Sequence, residues 1–275
     1  MQVTMAKLLG MGNALVDIMT RLDKDEYLPV FGLPKGSMTL VDAVKSMSVY
    51  EGTGHLERTI RSGGSAANTI HGAARLGIPS AFMGKVGRDE LGEVFVSDLI
   101  NSNITPKLLY SETESGRAIA LVSPDTERTF ATFLGAADEM TAQDMEEHLF
   151  EGFEYFHIEG YLVQNQELLK KSLAIAKSRG MKVSIDMASY NVVEANKEFL
   201  QYIVDEYVDI VFANEEEAKA FTGREPSEAV DIIGRMCEVA VVKTGRNGSL
   251  VNHNGKTCPI GIIQANSVDT TGAGD

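Results

Sequence analysis

The sequence predicts an α/β protein, a three-layer body on a mostly parallel central sheet with a small β-sheet beside it. Three observations predict it. Strand-length apolar runs alternate with helix-length amphipathic segments over most of the chain. Two of these runs, Val208-Asp-Ile-Val-Phe-Ala213 and Val239-Ala-Val-Val-Lys243, are almost continuous, as expected where both faces of a sheet are covered. Between about 105 and 134, by contrast, strand-like segments follow one another with no helix between them.

In chain order, a short apolar strand leads into Gly10-Met-Gly12, and Ala14–Leu22 and Ser37–Val41 read as strands. Ser65 reads as the cap of a helix whose apolar face runs through Ile70, Ala73, Ala74 and Leu76 and stops at Gly77. Ser80–Val86 is a strand and Asp89–Asn101 a helix. Thr105–Tyr110, Arg117–Ser123 and Arg128–Leu134 are three short strands, with Pro124-Asp125 as turn chemistry. Tyr155–Glu159, Lys182–Asp186, Val208–Ala213 and Val239–Lys243 are strands, with helices over Gln164–Arg179 and Glu215–Phe221. The whole reads as one domain over residues 1–275. Its small sheet comes from two segments, about 14–41 and 105–135, placed as a lid beside the crevice.

Composition limits the function. The chain has 275 residues and a formal net charge of −14, so it lacks the positive charge that neutralises a nucleic-acid backbone or a polybasic membrane contact needs. No apolar run approaches a membrane span, and the N-terminus reads as a core strand, not a leader, so a cytoplasmic protein is expected. Cys237 and Cys258 match no zinc or redox spacing and are expected as buried or half-buried thiols.

Five motifs carry chemistry. Gly10-Met-Gly-Asn-Ala-Leu-Val-Asp17 lacks the third glycine of a dinucleotide fingerprint, since Leu15 stands there, and strand follows it. It is a tight turn, or a place from which Asn13 and Asp17 meet the hydroxyls of a sugar. Arg61-Ser-Gly-Gly-Ser-Ala-Ala-Asn68 puts Gly63 and Gly64 before a helix start, where a ligand can come close to backbone N–H groups and to Asn68; an ordinary strand-to-helix turn reads the same way. In Asn214-Glu-Glu-Glu217, Asn214 and Glu217 form a capping box, and Glu217 is also placed to hold a hydrated Mg²⁺. Val242-Lys-Thr-Gly-Arg-Asn-Gly-Ser249 is a hairpin turn at a strand end, within reach of a nucleotide through Lys243, Thr244, Gly245 and Gly248. In Val268-Asp-Thr-Thr-Gly-Ala-Gly-Asp275, the small residues Gly272, Ala273 and Gly274 leave successive N–H groups open as an anion nest, with the Asp275 carboxylate one step beyond.

Taken in order, the Gly63-Gly64…Asn68 motif, Gly84-Lys-Val-Gly-Arg-Asp-Glu-Leu-Gly92, Asn214-x-x-Glu217 and Asp269-Thr-Thr-Gly-Ala-Gly-Asp275 resemble the PfkB, or ribokinase-like, carbohydrate and nucleoside kinases. The resemblance implies transfer of the ATP γ-phosphate to a hydroxymethyl oxygen of a small-molecule substrate. It implies Asp275 as catalytic base and Gly272, Ala273 and Gly274 as anion hole. Asn13, Asp17, Gly63, Gly64 and Asn68 would meet the substrate. Asn214, Lys243, Thr244, Gly245 and Gly248 would face ATP. Glu217 would hold Mg²⁺ through water, and Asp269 and Thr271 a monovalent cation such as K⁺. Gly-Asn-Ala-Leu-Val-Asp17 and Arg128-Thr-Phe-Ala-Thr-Phe-Leu-Gly-Ala-Ala137 look most like the adenosine kinase branch. Apolar Leu15, Leu134 and Ala136 beside the ribose contacts would suit a flat base, though lid packing explains them equally. A sugar kinase of the same family and a non-catalytic sensor of sugar or nucleotide are the alternatives. The oligomer expected is a monomer or a lid-mediated dimer. Family members continue beyond the glycine motif, so the chain is expected to be truncated at Asp275 and inactive in that form.

Overall fold

The computed structural model describes residues 6–264 and Gly274. The first half of the chain comprises β1 (Leu8–Met11), β2 (Leu15–Arg21), α1 (Tyr27–Val30), β3 (Met38–Leu40), α2 (Ala43–Gly52), β4 (Arg58–Gly63), α3 (Ser65–Arg75), β5 (Ser80–Gly87), α4 (Glu90–Asn101), β6 (Ile104–Ser111), β7 (Gly116–Val122) and β8 (Arg128–Phe133). After three short 3₁₀ turns come β9 (Tyr155–Glu159), α5 (Gln166–Ser178), β10 (Lys182–Asp186), α6 (Tyr190–Ala195), α7 (Lys197–Glu206), β11 (Ile210–Asn214), α8 (Glu215–Thr222), α9 (Pro226–Ile233), β12 (Val239–Lys243), β13 (Ser249–His253) and β14 (Lys256–Ile260).

Among the described residues these strands form two sheets. The larger has the order β14-β13-β12-β11-β10-β9-β1-β5-β6 and is parallel from β12 to β6, with β13 and β14 added antiparallel at one edge. The smaller has the order β3-β8-β7-β2-β4 and mixes parallel and antiparallel pairs. The α/β class with a mostly parallel sheet and a smaller second sheet is therefore what the chain adopts.

Two strands are placed differently from the sequence reading. The segment around Thr105–Tyr110, expected in the small sheet, is β6 and pairs in parallel with β5 at the edge of the large sheet. Arg58–Gly63, not read as a strand, is β4 and pairs with β2 in the small sheet. Helix α3 also starts differently, because Gly64, at φ 91°, occupies the cap position and makes no side-chain cap bond; Ser65 is already inside the helix. Gln164 belongs to a 3₁₀ turn, and Asn165 caps α5 by accepting the Leu168 N–H.

One core cluster joins Phe156, Ile158, Val183, Ile185, Val211, Ala213 and Val242 of the large sheet to α5, α7, α8 and α9. The other joins Ala66, Ile70, Phe82, Phe95 and Leu99 to Val16 and Ile18 of the small sheet. The continuous apolar runs of β11 and β12 predict cover on both faces. In the described residues Val211, Ala213, Ala240 and Val242 are fully buried, whereas Ile210, Phe212, Val239 and Val241 are half-buried. Cys237 is half-buried as expected, but Cys258, on β14, is exposed. No helix among the described residues is long and apolar enough to cross a membrane.

Candidate active site

The strand order of the large sheet reverses direction at β1. From there β5 and β6 extend one way and β9 to β12 the other. A crevice opens outside the carboxyl ends of the strands at such a point. Here it is a cavity of about 960 Å³. Asn13, Asp17, Gly64, Ser65 and Glu159 line one part of it, and Leu15, Met38, Leu40, Ala118, Leu134 and Met140 give it apolar walls. The small sheet supplies Asp17, Met38, Leu40 and Ala118, so the cavity lies between the two sheets.

Glu159 organises the floor. It ends β9 and is 1% exposed. Its Oε1 accepts the Asn13 backbone N–H at 2.9 Å and the Asn13 side-chain amide at 2.6 Å, and its Oε2 accepts the Ala66 N–H at 3.2 Å. A negative group at the start of α3 is favoured by the helix dipole. The Ala66 donor, expected from the sequence to be open to ligand, is thus bonded to this carboxylate. Gly12 lets Glu159 approach, since a Cβ there would stand 2.3 Å from Oε2. Sequence reasoning missed Glu159; the one local signal was an acidic residue closing an apolar run.

Asp17 lies on β2 opposite Arg61, two pairs along from Leu15 opposite Gly63 and so on the same face of the sheet. A Cβ on Gly63 would stand 2.1 Å from the Asp17 Cγ, so the glycine is what gives the carboxylate its place. Gly64 would set a Cβ 2.4 Å from the Asn13 carbonyl oxygen. Of the five residues expected at the substrate, Asn13, Asp17 and Gly64 line the cavity. Gly63 packs behind Asp17, and Asn68 lies one helical turn on, its N–H donated to the Gly64 carbonyl at 2.9 Å.

Further polar residues stand along the carboxyl edge of the large sheet. Glu159 is in register with Asp186, and Asn214 with Lys243. The Lys243 ammonium donates to Asp186 Oδ2 at 2.8 Å and to the Gly274 carbonyl at 2.5 Å. Asn214 and Glu217 form the reciprocal box read from the sequence. The Asn214 N–H and side-chain amide each reach a Glu217 oxygen at 2.7 Å, and the Glu217 N–H returns to Asn214 Oδ1 at 2.9 Å. Burial, reinforced by the charge of Asp186, pushes the Glu217 carboxyl up to about 7 against the pull of the Asn214 bond. Burial, then the Glu159 charge, also raises the phenol of Tyr161, which lines the cavity. Thr244 donates its N–H and hydroxyl to the Gly248 carbonyl, and Gly245 and Gly248 take positive φ, so this loop is the hairpin between β12 and β13.

Asp269, Thr271, Gly272, Ala273 and Asp275 lie outside the described residues. Gly274 is described, bonded to Lys243.

A parallel sheet with a ligand crevice at its reversal point, roofed by a small second sheet, defines a class, and comparison with known proteins names it. Residues 26–275 match the pfkB family carbohydrate kinase model, and the chain belongs to that family. The crystal structure of adenosine kinase from Sinorhizobium meliloti superposes with a TM-score of 0.86 at 31% identity, over 98% of this chain and 84% of that one. Guanosine-inosine kinase of Escherichia coli (strain K12) is 25% identical over 235 residues, 81% of this chain and 54% of its own. Ribokinase of Mus musculus is 26% identical over 233 residues, 81% of this chain and 70% of its own. The chain thus spans about half the length of the Escherichia coli relative, 54%.

Proposed function

We propose that this protein is an ATP-dependent kinase that transfers the γ-phosphate to a hydroxymethyl group of a nucleoside, with adenosine favoured. The observation that carries the reading is that one cavity is lined both by polar groups, among them Asn13, Asp17 and Gly64, and by apolar side chains, among them Leu15, Leu40 and Leu134. Ribose hydroxyls match the first and a flat base the second. The similarity to adenosine and guanosine-inosine kinases supports the same choice. The similarity to ribokinase keeps a free sugar as the second reading.

In this reading the acceptor oxygen attacks the γ-phosphorus. A new P–O bond forms, the bond to the β-phosphate oxygen breaks, and ADP leaves. The hydroxyl proton passes to the Asp275 carboxylate. That group is ordinarily far more acidic than an alcohol, so the proton moves late, while the N–H groups of Gly272, Ala273 and Gly274 hold the phosphate charge. Lys243, Thr244, Gly245 and Gly248 face the nucleotide beside Asn214. Oxygen donors from Asp186, at the end of β10, and Glu217, in the first turn of α8, fit Mg²⁺, which takes hard ligands and keeps waters. Bound there, Mg²⁺ would neutralise charge on the phosphate oxygens. Asp269 and Thr271 are proposed for a monovalent cation. The small sheet acts as the lid and excludes water from the reacting atoms. A cytoplasmic location suits an enzyme that draws on ATP.

The test is ADP release by the full-length protein with ATP-Mg²⁺ and adenosine, guanosine, ribose or fructose, beside Asp275→Asn. Turnover with adenosine that the variant loses is the expected result. Turnover with a free sugar alone would overturn the acceptor. ATP and nucleoside binding without turnover would favour a sensor.

A further inference from the structure

Helix α4 holds the roots of two strands of the small sheet by the same device. At its N-terminus, Asp89 accepts both the N–H of Ser115 (2.7 Å) and its hydroxyl (2.6 Å), immediately before β7. About two and a half turns along, Asp98 accepts both the N–H of Ser62 (2.9 Å) and its hydroxyl (2.7 Å), immediately before Gly63 and Gly64. The Ser62 oxygen also lies 2.9 Å from His71 Nε2 on α3. A serine hydroxyl has one hydrogen, and Asp98 receives it, so His71 must donate there. The bonds run His71 to Ser62 to Asp98, and tie β4 to α3 and α4 at one point.

The strand between these two clamped neighbours is β2. Leu15 faces Gly63 of β4 on one side and Gly116 of β7 on the other, and Asp17 faces Arg61 and Ala118. The same helix buries Phe95 and Leu99 in a core with Val16 and Ile18 of β2. The strand that carries Asp17 into the cavity is therefore fixed from both sides, and from beneath, by α4. Charge-assisted bonds to a carboxylate are stronger than neutral ones and suit such an anchor.

We propose that Asp98, through Ser62, is a positioning residue for the acceptor end of the cavity, setting Asp17 and Gly64 against Asn13 without touching the substrate. The proposal rests on the acceptor site inferred above. The Asp89 clamp is its counterpart on β7, but Asp89 also caps α4 by accepting the Gly92 N–H, so Asp98 is the cleaner probe.

The experiment compares Asp98→Ala, Asp98→Asn and Ser62→Ala in the full-length protein. Kinetic constants are measured for adenosine and ATP, and amide hydrogen exchange without ligand. Asp98→Ala is expected to raise the adenosine KM about tenfold, with kcat and the ATP KM within about twofold. Exchange is expected to speed up across 59–64 and not in α8. Asp98→Asn keeps an acceptor oxygen for Ser62 and is expected to restore most of the KM and the protection. Ser62→Ala keeps the N–H bond and should fall between, and it decides the matter should Asp98→Ala not fold. Unchanged exchange at 59–64 would overturn the proposal. So would faster exchange with an unchanged adenosine KM, or an Asp98→Asn variant as impaired as Asp98→Ala. Absence of turnover with any nucleoside would remove the acceptor reading, while exchange still judges the clamp.

Discussion

Glu159 takes the backbone N–H of Asn13 at 2.9 Å and its side-chain amide at 2.6 Å across 146 residues of sequence. These bonds join the end of β9 to the turn after β1, at the point where the strand order reverses. With the Ala66 N–H on its other oxygen, Glu159 satisfies three donors in a place without solvent. Glutamine keeps one carbonyl oxygen and puts an amide where a donor already points. Glu159→Gln is expected to lower stability by about 1–3 kcal/mol, the cost of a buried donor left without an acceptor. Urea unfolding checks it, as a lower midpoint at constant slope. An unmoved midpoint would mean that these bonds are not what fixes the floor.

Three glycines, two at the site and one further along α3, give contrasting expectations. Gly63→Ala would push the Asp17 carboxylate aside, because the new Cβ would stand 2.1 Å from Cγ. Its expected effect is a weaker acceptor affinity with the fold retained, since a side-chain tip can move. Gly64→Ala meets the Asn13 carbonyl oxygen at 2.4 Å and a φ of 91°, and is expected to cost about 1–3 kcal/mol. Gly72, inside α3, faces open space, so Gly72→Ala is expected to stabilise by about 1 kcal/mol. Thermal unfolding of the three variants in parallel separates steric from conformational causes.

The parts of the site that were legible in the sequence are those set by local spacing. Asn214 and Glu217 stand three residues apart after an apolar run, and a capping box needs nothing more distant. The hairpin at Asn247-Gly248 is legible for the same reason. Glu159 was not legible, because its partners Asn13 and Ala66 reach it only when β1, β9 and α3 converge. The strand Arg58–Gly63 was hidden by its polar content. It is a sheet edge, largely exposed, with little apolar alternation to reveal it. Thr105–Tyr110 was legible as a strand, but nothing in a strand's own residues says which sheet it joins. The Ser62–Asp98 bonds, 36 residues apart, lie beyond any local pattern.

Asp17 tests the proposed acceptor site directly. If its carboxylate receives ribose hydroxyls, Asp17→Ala removes hydrogen bonds to a charged group. The expected rise in the adenosine KM is about tenfold to a hundredfold. The ATP KM should stay near its original value, because Lys243 and Asn214 lie at different strand ends. An equal loss for both substrates would argue for general damage instead of a lost acceptor contact.

His157 gives the fold a definite response to acid. It is 3% exposed, its Nδ1 lies 2.9 Å from Ser184 Oγ, and its Nε2 has no hydrogen-bond partner among the described residues. Burial pushes the imidazole down to about 4; the nearby Asp186 charge opposes this and Lys243 adds to it. In the unfolded chain the ring titrates near its ordinary value of 6.5. Between these values the unfolded chain binds a proton that the folded one refuses. Stability is therefore full above about pH 6.5 and falls as the pH drops, until the folded ring is protonated as well near pH 4. The loss by pH 5 amounts to roughly 2 kcal/mol. His157→Gln removes this titration, so its unfolding midpoint should fall less between pH 7 and pH 5 than that of the parent. Parallel curves for the two proteins would show that His157 takes up its proton in the folded state as readily as in the unfolded one.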